Sequence, residues 1–193
     1  MNPGDAKYRD MNHDGVIDEQ DIVYLGSSFP TLTGGGSLVL KYKGWQLRAS
    51  LHFRLGHSII NKTRHELENM NTGNNQSKNV LHRWRYEGDD TDIPRALWGT
   101  NYNSMGSSKF VEDGSFLKFK DITLTYRVPQ QFCRRMGLMN MVISATAYNL
   151  FTFTNYSGQD PEVGVGSGAY GLAIDSSRTP PARKIAFNLS FSF

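Results

Sequence analysis

Apolar and polar residues alternate with a period of two in several separate stretches of this chain. Leu38, Leu40 and Tyr42 share one parity, while Ser37, Val39, Lys41 and Lys43 share the other. After Lys43-Gly44 the pattern resumes: Trp45, Leu47, Ala49, Leu51, Phe53 and Leu55 alternate with Gln46, Arg48, Ser50, His52 and Arg54. A period of two held over a whole segment predicts a strand with one apolar face, and the glycine between the segments predicts a hairpin turn. Further on, Ile122, Leu124, Tyr126 and Val128 oppose Asp121, Thr123, Thr125 and Arg127. The stretch "MVISATAYNLFTFT" alternates more weakly. At the chain end Ile185, Phe187, Leu189, Phe191 and Phe193 oppose Lys184, Ala186, Asn188, Ser190 and Ser192.

These patterns predict about five strands of roughly ten residues, the length that crosses a bilayer core at a tilt. The intervening segments alternate between short and long. Residues 56–115 read as one long polar loop with a short helix near "NKTRHELENM", residues 128–140 as a connector, and residues 154–182 as a second long loop. Tight turns on one rim and long loops on the other are the pattern of a membrane β-barrel, and a soluble β-sandwich shows it less regularly. Tyr42, Trp45 and Tyr126 fall near the short-turn ends, and Phe193 ends the last strand. These are positions for an interfacial aromatic girdle. With this alternation, Leu47, Leu51, Phe53, Phe187 and Phe191 are expected to meet lipid. Arg48, His52, Arg54 and Asn188 are expected to face the lumen.

Composition narrows the functional classes. Nineteen glycines among 193 residues suit an all-β chain with long loops. A net charge of +3 with no Lys/Arg run gives no footprint for nucleic acid. The single cysteine, Cys133, excludes an internal disulfide and reads as a free thiol in a connector. Five histidines and this cysteine make no zinc spacing, and no nucleophile, base and orienting acid assemble from spacing, so the chain reads as a non-enzyme. "GGG" at 34–36 lacks the Lys-Ser/Thr of a phosphate loop and reads as flexibility. "DPE" at 160–162 reads as an ordinary turn.

One motif carries candidate metal chemistry. In "DMNHDGVIDEQD", Asp10, Asn12 and Asp14 occupy positions one, three and five of a twelve-position calcium loop. Gly15 is the turn glycine, Val16 offers its carbonyl at seven, and Asp18 stands at nine. Asp21 stands at twelve in place of glutamate, and its shorter reach weakens bidentate ligation. Oxygen donors in this number suit calcium, here as a structural brace. The alternative is a polar turn held by Asx hydrogen bonds. A second loop, as in a dockerin, and paired helices, as in an EF-hand, are absent from the pattern.

"SFLKFKDITLTYRVP", "AYNLFTFTNYSGQDPEV" and "RTPPARKIAFNLSFSF" resemble the closing segments of the SusC/RagA family of TonB-dependent outer-membrane transporters, and "GDAKYRDMNHDGVIDEQDIVYLGSSFP" resembles the segment before them. The resemblance covers nearly the whole chain. It implies the last five or so strands of a plugged 22-stranded barrel. It also implies a SusD-like surface lipoprotein as partner, oligosaccharide or peptide as substrate, and energy from the TonB complex gripping an N-terminal part. The cell outer membrane of a Bacteroidetes-type bacterium is the implied location. The sequence shows no plug, TonB-contacting segment or signal peptide. Because closed barrels need at least about eight strands, the expectation is a C-terminal piece that transports nothing alone. Residues 1–35 are then an extracellular loop, 36–55 a hairpin, 56–115 an extracellular loop, and 116–193 the last three strands with their connections.

Arg48, His52 and Arg54 are candidates for a polar substrate path, against the alternative of a solvated or salt-bridged barrel interior. The loop aromatics Trp84, Tyr86, Trp98, Tyr102, Tyr156 and Tyr170 are candidates to stack on sugar rings, against packing of loop on loop. The competing reading for the whole chain is a soluble β-rich calcium-binding or carbohydrate-binding module.

Overall fold

A computed structural model describes residues 2–162 and 173–193. The chain divides into two compact units. One comprises Pro30–His57, Gly114–Pro161 and Thr179–Phe193; the other comprises Met1–Phe29, Ser58–Asp113 and Glu162–Arg178.

The first unit is one antiparallel sheet of five strands: β1 (Leu32–Tyr42), β2 (Trp45–Leu55), β5 (Phe116–Arg127), β6 (Asn140–Thr154) and β8 (Lys184–Ser192). Strands β1 and β2 form the hairpin that alternation predicts, with Tyr42 paired to Trp45 across the turn. Lys43 takes φ 51° in that turn. At Gly44 a Cβ would press within 2.8 Å of the Arg127 carbonyl, so the close approach of the two chains requires glycine there. The other tight connection, between β5 and β6, holds α2 (Gln130–Arg135). Cys133 on this helix is free and fully buried.

The register gathers like residues into rows. One row joins Leu40, Leu47, Leu124, Ala145 and Phe187; the next joins Tyr42, Trp45, Tyr126, Ile143 and Leu189. The alternate rows carry Lys41, Gln46, Thr125, Ser144 and Asn188, then Val39, Arg48, Thr123, Thr146 and Ala186. The sheet therefore has one apolar and one polar face. The apolar face is bare: Phe187 is 82% exposed. A bulge at Lys120, where Ser50 pairs with Asp121 but Leu51 pairs with Phe119, reverses the parity of β5. That is why Leu117 and Phe119 share the apolar face with Ile122 and Leu124. On β6 the same irregularity falls at Asn149, in a left-handed conformation with φ 54°. It accounts for the weak alternation of that stretch.

One boundary differs from the sequence expectation. Strand β1 begins at Leu32, so Gly34, Gly35 and Gly36 lie inside it, opposite Phe53, His52 and Leu51. Gly34 and Gly35 serve close packing, whereas Gly36 has open space beside it. A Cβ on Gly34 would meet the Phe53 ring at 2.8 Å, and one on Gly35 the Leu51 carbonyl at 2.9 Å.

The second unit has the short helix expected near "NKTRHELENM" within 56–115, and adds strands that were not expected there. It contains β3 (Ser58–Asn61), α1 (Lys62–Leu67) and β4 (Val111–Asp113), and β7 (Ile174–Asp175) completes a small sheet in the order β4-β3-β7. Asn61 ends β3 and caps α1, its Oδ1 accepting from the Arg64 N–H at 2.9 Å. Ile59, Val80, Ile93 and Phe110 are buried and give the unit its own small core.

Candidate functional site

The acidic loop closes on itself. Asp10 accepts from the N–H groups of His13 at 2.6 Å and Gly15 at 2.9 Å. Asp14 accepts from Val16 at 2.8 Å, and Asn12 from Asp14 at 3.1 Å. Asp18 caps a single helical turn, Glu19–Asp21. Asp21 ties the loop ends together by accepting from Met11 at 2.6 Å and Asp18 at 3.0 Å. The Met11 N–H, and then that of Asp18, hold its carboxyl below the usual aspartate range. Gly15 has φ +83°, as a sixth-position glycine should. The spacing and donor chemistry of Asp10, Asn12, Asp14, Val16, Asp18 and Asp21 thus suit a hard cation. Yet among the described residues no three His, Cys, Asp or Glu side chains converge closely enough to hold a metal. The carboxylates here act as acceptors for the loop's own backbone.

Beside this loop the same unit has an open cleft of about 1210 Å³, lined among others by Tyr8, Asp18, Ile22, Ile60, His65 and Trp84. Two ionic clusters build its walls. Arg95 Nε donates to Asp5 Oδ1 at 2.7 Å, and Asn103 Nδ2 joins at 3.2 Å. The Arg95 bond, against burial, lowers Asp5 to about 2. Glu68, almost wholly buried, meets Arg64 at 3.0 Å and Lys109 at 3.0 Å. Burial pushes its carboxyl up, but the bonds from Arg64 and Lys109 outweigh this and hold it low.

The candidate aromatics separate. Trp98, 76% exposed, and Tyr86 present open rings. Trp84 instead lies over Gly4, where a Cβ would fall 2.1 Å from its ring. Tyr102 packs edge-on against Tyr8 at 5.6 Å. Tyr156 is buried and offers no stacking face, a correction that follows from the fold of its segment. Tyr170 lies outside the described residues.

On the polar face of the sheet Arg48, His52 and Arg54 do share one side of β2. Arg48 is exposed and Arg54 half-buried, and among the described residues neither makes an ion pair. His52 is not in line with them as an open contact, because its ring packs 5.8 Å from that of Phe116. Ser50 donates to Asp121 at 3.0 Å, and Thr123 and Thr146 share a bond of 3.0 Å. The pair that sequence reasoning missed is Lys118 with Asp160. Their contact of 2.6 Å is buried, so "DPE" is more than an ordinary turn. The sequence signal was a lysine at an inward position of a strand whose neighbour Phe116 is apolar.

No family model matches the sequence. The chain is 31% identical to the TonB-dependent receptor P26 of Formosa agariphila over 97% of its own length and 20% of that protein. It is 26% identical to the TonB-dependent receptor P3 of the same organism, over 99% of this chain and 19% of that one. Among solved structures, the RagAB peptide importer in its closed-closed state superposes with a TM-score of 0.73 and 29% identity, over 87% of this chain and 18% of the matched chain. The chain matches a segment of SusC/RagA-type TonB-dependent receptors. It spans about a fifth of the length of the curated relatives it matches. The five-stranded sheet is accordingly an open arc of a barrel wall, with edges at β1 and β8.

Proposed function

We propose that this receptor segment forms part of the wall and outer loops of an outer-membrane nutrient importer. The observation that carries the reading is the two-faced sheet. Its apolar rows run unbroken from β1 to β8 and are bare, whereas its alternate rows are polar. A soluble module would cover such an apolar face; a bilayer covers it without further protein. The polar face, with Arg48 and Arg54, then faces the lumen, and the second unit stands among the loops outside the cell. The imported nutrient is an oligosaccharide or a peptide, and the RagAB likeness favours the peptide. A SusD-like lipoprotein caps the barrel, TonB supplies energy through upstream parts, and the site of action is the outer membrane of a Bacteroidetes-type bacterium. The acidic loop takes calcium as a brace for the outer surface. The role is non-enzymatic, and the segment alone is inactive, since an open sheet in lipid leaves unpaired backbone at both edges.

The experiment is uptake of labelled oligopeptides and oligosaccharides by cells with the intact receptor, without it, and without TonB. Import that needs both receptor and TonB supports the reading. A receptor found wholly in the soluble fraction would sink it.

A further inference from the structure

Asp160 stands six residues beyond the end of β6, yet it meets a side chain from within β5. Thr154, the last residue of β6, pairs with Phe116, whereas Lys118 pairs with Thr152. Asp160 nevertheless accepts from Lys118 Nζ at 2.6 Å. The chain over 155–161 therefore turns far enough for Asp160 to meet the end of the long Lys118 side chain. Thr154 sets the turn: its hydroxyl donates to the Ser115 carbonyl at 2.8 Å and accepts from the Tyr156 N–H at 3.1 Å. Gly158 permits it, because a Cβ there would meet the Tyr156 ring at 2.3 Å. The result is a dry patch in which Phe116 is 1%, Lys118 2%, and Tyr156 and Asp160 each 6% exposed. An ammonium in so dry a place needs a carboxylate against it. Lys118 lies on the polar side of β5, in the row of His52, so the strap lies on that side too.

We propose that Lys118 is a positioning residue that latches the 155–161 strap across the polar face, where the strap shields the passage near His52. The shielding rests on the import reading; the latch does not.

The test uses the intact receptor in its membrane, with Lys118→Met and Asp160→Asn. Amide hydrogen exchange over 155–161 should quicken at least tenfold in both, and Lys118→Arg, which keeps the charge, should stay close to the parent. A His52→Cys background reads the passage, since Cys133 is buried and gives little signal. An impermeant maleimide should label it at least tenfold faster once the latch is broken. Unchanged exchange overturns the latch. Faster exchange with unchanged labelling overturns the shielding. If the sheet variants fail to assemble, Gly158→Ala acts from the strap itself by crowding Tyr156, and the same two readings apply.

Discussion

Arg95 reaches back ninety residues to Asp5, Nε to Oδ1 at 2.7 Å, and the Arg95 N–H also donates to the Gly4 carbonyl at 2.8 Å. This double attachment, with Trp84 lying on Gly4, fixes the beginning of the chain to the loop between β2 and β5. Asp5 carries a titration consequence. Its folded value, about 2, is below the ordinary 3.8, so its contribution is complete above the ordinary value and fades as pH falls towards 2. Arg95 is partly exposed, which limits the effect to about 1 kcal/mol. Asp5→Asn should remove it. Hydrogen exchange over residues 4–8 should then quicken at neutral pH and lose its acid dependence between about pH 4 and 2.

Glu68 is the acceptor for two cations from different parts of the same unit, Arg64 on α1 and Lys109 beside β4. Its folded carboxyl is held below the usual range, so its stabilisation is present above that range and lost as pH falls through it. Glu68→Gln takes the shared carboxylate from Lys109 and leaves Arg64 with Glu112 at 3.5 Å, and should cost about 2 kcal/mol in that unit. Protease sensitivity of the 62–110 region reports it, and a variant as resistant as the parent would show that the cluster is ornamental.

The sheet was legible because alternation is a local signal: each of its five strands shows in the parity of neighbouring residues. Even the Lys120 bulge is written in "SFLKFKDITLTYR", where apolar residues change parity. Of the second unit, the helix near "NKTRHELENM" was legible and the strands were not. Ser58–Asn61 and Ile174–Asp175 are too short to show a period, and their pairing joins segments more than a hundred residues apart. The same limit hid Lys118 with Asp160. A buried ion pair depends on where a strap returns, which residue spacing does not record. Gly34 and Gly35 misled because glycine marks both loose chain and close approach, and only the positions of the Phe53 ring and the Leu51 carbonyl decide between them.

For the acidic loop, calcium and the backbone compete for the same carboxylates. Asp10 and Asp14 already accept four N–H or amide bonds between them. If calcium binds, it must add stability beyond this network. The thermal unfolding of the loop should rise in millimolar calcium for the parent and not for Asp10→Ala or Asp14→Ala. The variants should also lose turn stability in chelator, by about 1 kcal/mol for each lost acceptor. A parent indifferent to calcium would leave the Asx turns as the whole role of "DMNHDGVIDEQD".

The two faces of the sheet give the sharpest contrast, because adjacent residues on one strand must respond oppositely. Leu124 lies in the row of Leu47, Ala145 and Phe187, while Thr125 lies in the row of Gln46, Ser144 and Asn188. On the lipid side an arginine near the bilayer midplane costs about 2–4 kcal/mol, and on the lumen side water and polar neighbours receive it. Leu124→Arg should therefore lower the folded fraction of the receptor in lipid, read from heat-modifiable gel mobility or urea unfolding, while Thr125→Arg leaves it within about 0.5 kcal/mol of the parent. The side chains differ by one position in sequence and share strand, depth and charge change, so propensity and net charge cancel between them. Equal losses would mean that the apolar face does not meet lipid, and the barrel-wall reading of this sheet would fall with it.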